Sequence, residues 1–170
     1  MEQFCAGDGK AFDALFALHA PSVKRYLTRL VGNAAQADDL VQATFLSVVR
    51  ARGRFLRGAR FKPRLYAIAT NAARDSRRRG RSESVTDDGA LPEEAAEAAL
   101  TSDPGLEKQV HQALASLPAA QREAIVLHRF EGLSFGEIAE IVGLTESAVK
   151  VRAHRGYEAL RGLLKGVWES

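Results

Sequence analysis

Residues Leu133–Leu164, LSFGEIAEIVGLTESAVKVRAHRGYEALRGLL, leave the chain the least freedom. Ser134 and Glu137 stand at capping-box spacing, so each side chain satisfies an otherwise free amide at a helix start. Ile138, Ala139, Ile141 and Val142 supply that helix's apolar side. Gly143 accommodates the left-handed backbone that ends it, Leu144 turns back toward the core, and Thr145 caps a second helix. At about 100° per residue, Val149, Ala153, Gly156, Leu160 and Leu164 share one stripe. Lys150, Val151, His154 and Arg155 share the opposite one. A short capped helix, a tight turn and a second helix with a basic, partly apolar outer face make a helix-turn-helix. The second helix suits the major groove, its N-terminus toward phosphate. A helical hairpin whose Lys and Arg only keep it soluble has the same pattern; the rest of the chain favours the first reading.

Charge is the next constraint. The net charge of the 170 residues is only +3, but it is unevenly spread. Residues 1–82 hold 16 Lys/Arg against 6 Asp/Glu, residues 83–104 hold 7 acids and no base, and residues 105–170 hold 8 of each. A basic N-terminal part points to a nucleic-acid partner. The length allows one medium domain or two small ones. Cys5 is the single cysteine, so no internal disulfide forms. It falls in an N-terminus expected to fray, and a reducing cytosol is the default. No apolar run approaches the ~20 residues that span a bilayer, and MEQFCAGDGK lacks the layout of a secretory signal. A cytoplasmic protein without membrane insertion is expected.

From the N-terminus, Phe12, Leu15, Phe16, Val23, Tyr26, Leu27 and Leu30 recur at helical spacing, with Pro21 predicting two helices that meet near Ala20. His19 has no partner at metal spacing and reads as packed or solvated. Gly32–Asn33 predicts a turn. A helix from about Ala35 to Arg52 comes next, with Leu40, Val41, Phe45, Val48 and Val49 inward, and Asp38 and Asp39 near its start favour the helix dipole. Arg50 to Lys62, RARGRFLRGARFK, is a basic loop interleaved with Phe55 and Phe61, the composition of a single-strand surface; aromatics that merely anchor the loop read equally well. Pro63 starts a helix with Leu65, Ile68, Ala69, Ala72 and Ala73 on one side and Asn71, Arg74, Asp75 and Arg78 on or near the other. Arg77, Arg78, Arg79 and Arg81 close it. Residues 83–104 read as an acidic linker, with a short helix around Glu93–Leu100. Beyond it come two helices, Leu106–Leu117 and Ala119–Phe130, packing Leu114, Leu117, Ile125, Val126 and Leu127 on the helix-turn-helix. His128 reads as structural and Trp168 as a cap on the domain's base.

Three stretches together resemble the extracytoplasmic-function group of bacterial sigma-70 factors. AxxADDLVQATF (Ala34–Phe45) is similar to the core-binding region 2.2. FxxxLYxIAxNxxxDxxRR, carried by Phe61, Leu65, Tyr66, Ile68, Ala69, Asn71, Asp75, Arg77 and Arg78, is similar to regions 2.3–2.4. LPxxQRExIVLHxxEGLSFxEIAEIVGLTESAVKVRxHR (Leu117–Arg155) is similar to region 4. The resemblance implies an all-α chain of two small helical domains, 1–82 and 105–170, joined by the acidic linker 83–104. It implies binding to core RNA polymerase, through the coiled coil of the largest subunit and the flap region, and to promoter DNA. Asp38, Asp39, Leu40, Gln42 and Phe45 would dock on the coiled coil. Asn71, with Phe55 and Phe61, would take a base turned out of the minus-10 element, beside Arg74, Asp75, Arg77 and Arg78, with the arginines on backbone. Lys150, Val151, His154 and Arg155 would read the minus-35 element, with Arg152 and Thr145 on phosphates. An anti-sigma factor is an expected partner, the free chain is expected to be a monomer, and no catalytic residue, cofactor or metal is implied. Two positions depart from the family pattern: Ala43 stands where an acid is usual and Arg64 where a tryptophan is usual.

Two other classes compete. A polymerase-independent two-domain helix-turn-helix regulator would not need the ADDLVQ helix or the basic aromatic loop. An enzyme, such as a nuclease, would need carboxylates clustered for a metal or a His with a partner. The linker as a relaxed coil spans roughly 26 Å, less than a helical turn of ~34 Å, though stretched it reaches about 75 Å. The free protein is therefore expected to engage both boxes rarely, with polymerase spreading the domains. The acidic linker reads as a solvated spacer, a nucleic-acid mimic, or a segment that folds onto the basic domain.

Overall fold

The computed structural model describes residues 2–55, 60–83 and 104–168, and every regular element among them is helical. In chain order these are α1 (Glu2–Cys5), α2 (Gly9–Val31), α3 (Ala34–Arg50), a 3-10 turn (Arg52–Arg54), α4 (Phe61–Glu83), α5 (Pro104–Ala115), α6 (Ala119–Ile125), a π-helical turn (Val126–Phe130), α7 (Phe135–Val142) and α8 (Glu146–Trp168). None of the helices described is long and apolar enough to cross a membrane. The acidic linker, with the short helix expected around Glu93–Leu100, lies outside the described residues except at its ends, as does the Trp168 side chain.

Local chemistry sets the helix ends. The Asp8 carboxylate accepts from the Lys10 amide at 2.9 Å and starts α2. Gly32, at φ 73°, ends α2 by donating to the Thr28 carbonyl, and the Asn33 side chain then accepts from the Gln36 amide to start α3. The turn expected at Gly32–Asn33 is thus a C-cap followed at once by an N-cap.

Four expectations need correction. Pro21 does not divide α2, which runs unbroken through it. Pro21 and Ala17, whose carbonyl loses its donor, are both exposed, so water satisfies that carbonyl while Val23, Tyr26 and Leu27 hold the helix to the core. The N-terminus is not frayed: Phe4 is buried against Phe12 and Phe55. Val49 does not face inward but is 39% exposed. The helix expected over Ala119–Phe130 changes to π geometry at Val126, where the Glu131 amide reaches the Val126 carbonyl at 3.2 Å. One extra residue in a turn rotates the downstream residues by about 100°, which turns Phe130 and Glu131 toward α2 and α4.

The N-terminal core joins Val23, Tyr26 and Leu27 of α2 to Leu40, Val41, Phe45 and Val48 of α3 and to Leu65, Tyr66 and Ala69 of α4. The C-terminal core gathers Leu114, Leu117, Ile125, Val126 and Leu127 around Ile138, Ile141, Val149 and Ala153. The two are continuous. Helix α4 lies along α7, and α2 touches α5, α6 and the π turn. Arg122 is the clasp between them: its guanidinium donates to the carbonyls of Leu114, Ala115 and Leu117 at the end of α5 and to Leu30 at the end of α2, at 2.6–3.0 Å.

Candidate nucleic-acid interface

The helix-turn-helix is built as its residues dictate. The Ser134 hydroxyl accepts from the Glu137 amide at 3.2 Å, and the Glu137 carboxylate accepts from the Ser134 amide at 2.9 Å. The bond from the Ser134 amide, with smaller help from the Ser134 side chain and Arg60, holds the Glu137 carboxyl below its usual range. Gly143 takes φ 71° and donates to the Ala139 carbonyl. The Thr145 hydroxyl accepts from the Ala148 amide at 3.2 Å and opens α8. Val149 and Ala153 are buried, so Lys150, Val151, His154 and Arg155 face outward with Thr145, and Arg152 is half-buried. Val151 is 48% exposed, and a bare β-branched residue between cations fits a thymine methyl as readily as water. Lys150 holds Glu146 one turn back at 2.7 Å, a surface pair of little energetic weight. His128 is structural: its Nδ1 lies 3.0 Å from the Leu133 carbonyl and its ring stacks on Phe135.

The second cluster surrounds α4. Asn71, Asp75, Arg77 and Arg78 are exposed, with Arg78 paired to Asp75 at 3.1 Å. Phe61 is half-buried, between the His19 and Phe55 rings. Phe55 is only 9% exposed, packed on Phe4 and Phe61 with the Arg64 guanidinium 4.6 Å over its ring. Its ring is not available to a base, and the anchoring alternative describes it better. Arg64 thereby has a partner that its departure from the family pattern did not indicate. Arg74 is not free either. Its guanidinium makes a two-pronged bond to the Glu123 carboxylate at 3.1 and 2.6 Å, which raises its pKa further.

Further contacts that the sequence reading missed join Arg60, just before α4, and the first turns of α4 to the C-terminal half. The Tyr66 hydroxyl donates to the Glu131 carboxylate, Lys62 donates to the Glu131 carbonyl at 2.5 Å, and Arg60 pairs with Glu137. Burial pushes the Glu131 carboxyl up, and burial together with the bond to Glu131 pushes the Tyr66 hydroxyl up. Arg29 covers the Phe130 ring at 4.3 Å. The missed signal is spacing. Tyr66, Asn71 and Arg74 fall at helical intervals along α4, but nothing local tells which carboxylate will meet them.

On α3, Asp38, Asp39 and Gln42 are exposed, with Asp38 paired to Lys24 at 2.8 Å, whereas Leu40 and Phe45 are buried in the core. The outward stripe instead runs Asp39, Gln42, Ala43, Leu46 and Val49, with Leu46 57% exposed. Intervals of three and four from Asp39 would have found Leu46 and Val49. A separate apolar groove of about 540 Å³ opens between α5, the π turn and α8, lined by Val110, Leu114, Phe130, Tyr157, Leu160 and Leu164 and rimmed by Arg129, Arg161 and Lys165. Among the described residues no group of His, Cys, Asp and Glu converges on a metal-sized site.

Comparison with known proteins agrees with this geometry. The chain matches the family Sigma-70 region 2 over residues 15–83 and the family Sigma-70, region 4 over residues 107–160. It is 49% identical to the RNA polymerase sigma factor CarQ of Myxococcus xanthus, over 96% of this chain and 95% of that protein. It is 30% identical to the ECF RNA polymerase sigma factor SigW of Bacillus subtilis, over 97% of this chain and 95% of that one. Among solved structures, it resembles the sigma factor RpoE in complex with the anti-sigma factor NepR from Bartonella quintana, with a TM-score of 0.82 and 30% identity over 92% of this chain and 98% of that one.

Proposed function

This chain belongs to the sigma-70 family, as an extracytoplasmic-function RNA polymerase sigma factor, and we propose how its surfaces divide the work. It is a transcription initiation factor and not an enzyme; it binds core RNA polymerase and promoter DNA, and an anti-sigma factor restrains it. Residues 1–82 form the core-binding and minus-10 domain, 83–104 the linker and 105–170 the minus-35 domain, and the protein works in the cytoplasm as a free monomer. On α3, Asp38, Asp39 and Gln42 meet the coiled coil of the largest subunit together with Leu46 and Val49, while Leu40 and Phe45 hold that stripe in place from beneath. The groove between α5 and α8 takes the flap, its basic rim suiting an acidic apolar helix. Lys150, Val151, His154 and Arg155 read the minus-35 duplex, with Arg152 and Thr145 on phosphates.

At the minus-10 element Asn71 takes an extruded base beside Phe61, and Arg74, Arg77 and Arg78 hold the backbone, with Asp75 orienting Arg78. Phe55 is the floor under Arg64, a cation at the position where the family pattern usually has a tryptophan. Unstacking a base costs a few kcal/mol; a surface that binds only the parted strand offsets that cost by selecting the open state. The minus-35 domain carries no net positive charge, so alone it binds duplex weakly.

One observation carries this reading: both sigma regions occur in one chain, and each presents an exposed basic surface backed by a packed core. In-vitro transcription with purified bacterial core polymerase tests it. Transcripts starting at defined positions are expected, lost when Lys150 and Arg155 are changed to Ala. A chain that neither associates with core nor directs defined starts would sink the reading.

A further inference from the structure

Helix α4 carries its strand-facing cations unevenly about Asn71. Arg74, Arg77 and Arg78 all lie C-terminal to it. On the N-terminal side, Arg60 pairs with Glu137 and Lys62 donates to the Glu131 carbonyl. Arg64 remains. At about 100° per residue, Arg64, Asn71, Asp75 and Arg78 fall on one outward face, and Ala67 and Ile68, half-buried and uncharged, separate Arg64 from Asn71. Arg64 is half-buried with an aromatic face beneath it and no oxygen acceptor among the described residues. Its guanidinium carbon stands 4.6 Å from the centre of the Phe55 ring, and that ring is braced by Phe4 and Phe61. A cation held over a ring face is fixed in place while its N–H donors stay unused. Seven residues of helix cover about 10 Å, close to three nucleotides at ~3.4 Å each. An extruded base rotates about its own backbone, so cations on one side of it leave the other flank free to carry it back.

We propose that Arg64 binds a backbone phosphate of the parted strand about three nucleotides from the base taken by Asn71, clamping that base from the side opposite Arg77 and Arg78. The inference rests on the reading of α4 as the strand-binding helix. Phe55 is the seat that aims Arg64, and Phe4 of α1 holds that seat from outside the residues 15–83 matched to region 2. A ring at position 64 would add stacking and release no counterion, whereas a cation there releases one. Strand capture by this chain is therefore more salt-dependent, by one phosphate contact, than it would be with a tryptophan in that place.

The test uses the full chain with purified core polymerase and a fluorescein-labelled single strand carrying the minus-10 element of a promoter mapped by in-vitro transcription. Anisotropy across a salt series gives affinity and slope. Arg64→Gln and Arg64→Trp both remove the charge, the second keeping a ring over Phe55. Each is expected to make the slope shallower by about 0.7. Arg64→Gln also weakens binding about tenfold at low salt, and Arg64→Lys keeps the slope. An unchanged slope in the uncharged variants overturns the inference. So does an Arg64→Lys that loses as much slope as Arg64→Gln, because the arginine then acts through packing on Phe55 alone. Should Arg64→Gln lower the melting temperature, Arg64→Trp carries the slope test by itself. Defined transcript starts with an unchanged slope remove this inference and leave the sigma-factor reading standing; a chain that directs no defined starts removes both.

Discussion

Gly156 shows how much a single position can carry. A Cβ built there would stand 2.5 Å from Ile125 Cδ1 and 3.3 Å from both Ile125 Cγ1 and the Gln121 Cβ, so the Ile125 side chain would have to shift. Gly156→Ala is expected to cost about 1–3 kcal/mol through overpacking, more than the ~1 kcal/mol helix propensity it gains, and to lower the melting temperature and duplex affinity together. Glu131 supplies a pH dependence. Burial raises its carboxyl above the ordinary value of 4.5, with the Tyr66 hydroxyl bond and then Arg29, Lys62 and Arg25 pulling it back. The folded chain therefore keeps that proton to higher pH than the unfolded one. Folding gains from Glu131 as pH falls toward 4.5 and loses that gain as pH rises through the raised value. Glu137, held down first by the Ser134 amide of its own cap, works in the opposite direction. A pH series of thermal melting curves should show the Glu131 contribution, and Glu131→Gln should flatten it.

Among the elements, helix α2 tolerates Pro21 because the lost bond faces water and both flanks pack on one core. Pro21→Ala restores the missing donor and should stabilise the chain by at most ~3 kcal/mol, read from thermal unfolding. On α3, three-residue and four-residue steps separate an inner stripe of Leu40, Val41, Phe45 and Val48 from an outer one of Gln42, Leu46 and Val49. Leu46→Glu should weaken association with core polymerase tenfold or more by burying a charge without lowering the melting temperature, because nothing in the fold covers Leu46. The π turn has a structural role of its own, aiming Phe130 at Arg29 and Glu131 at Tyr66. A plain α turn there would point both elsewhere.

For the molecule as a whole, the expectation is a free protein that rarely engages both promoter boxes. Footprints of the chain alone should lack joint protection of minus-35 and minus-10 boxes, and addition of core polymerase should create it. Strong two-box protection by the free chain would contradict this. Linker length and a neutral C-terminal domain lead to a similar expectation from the sequence. In the structure Arg74 is paired with Glu123 and so is not a free cation.

The amino-acid order alone determined those features that local chemistry can enforce. The capping box at Ser134, the left-handed stop at Gly143, the Gly32–Asn33 turn and the inner stripe of α8 each depend on residues within a turn or two of one another. The helical class and the family emerged from those patterns. Only the tertiary structure decided that the Phe55 ring is packed on Phe4 and Phe61, that Leu40 and Phe45 lie beneath the exposed stripe of α3, and that Arg74 and Tyr66 are held by glutamates 49 and 65 residues away. The reason is physical. Periodicity tells which side of a helix avoids water, but not which other surface covers it, and a charged side chain at helical spacing looks the same whether its partner is solvent, a phosphate or a distant carboxylate.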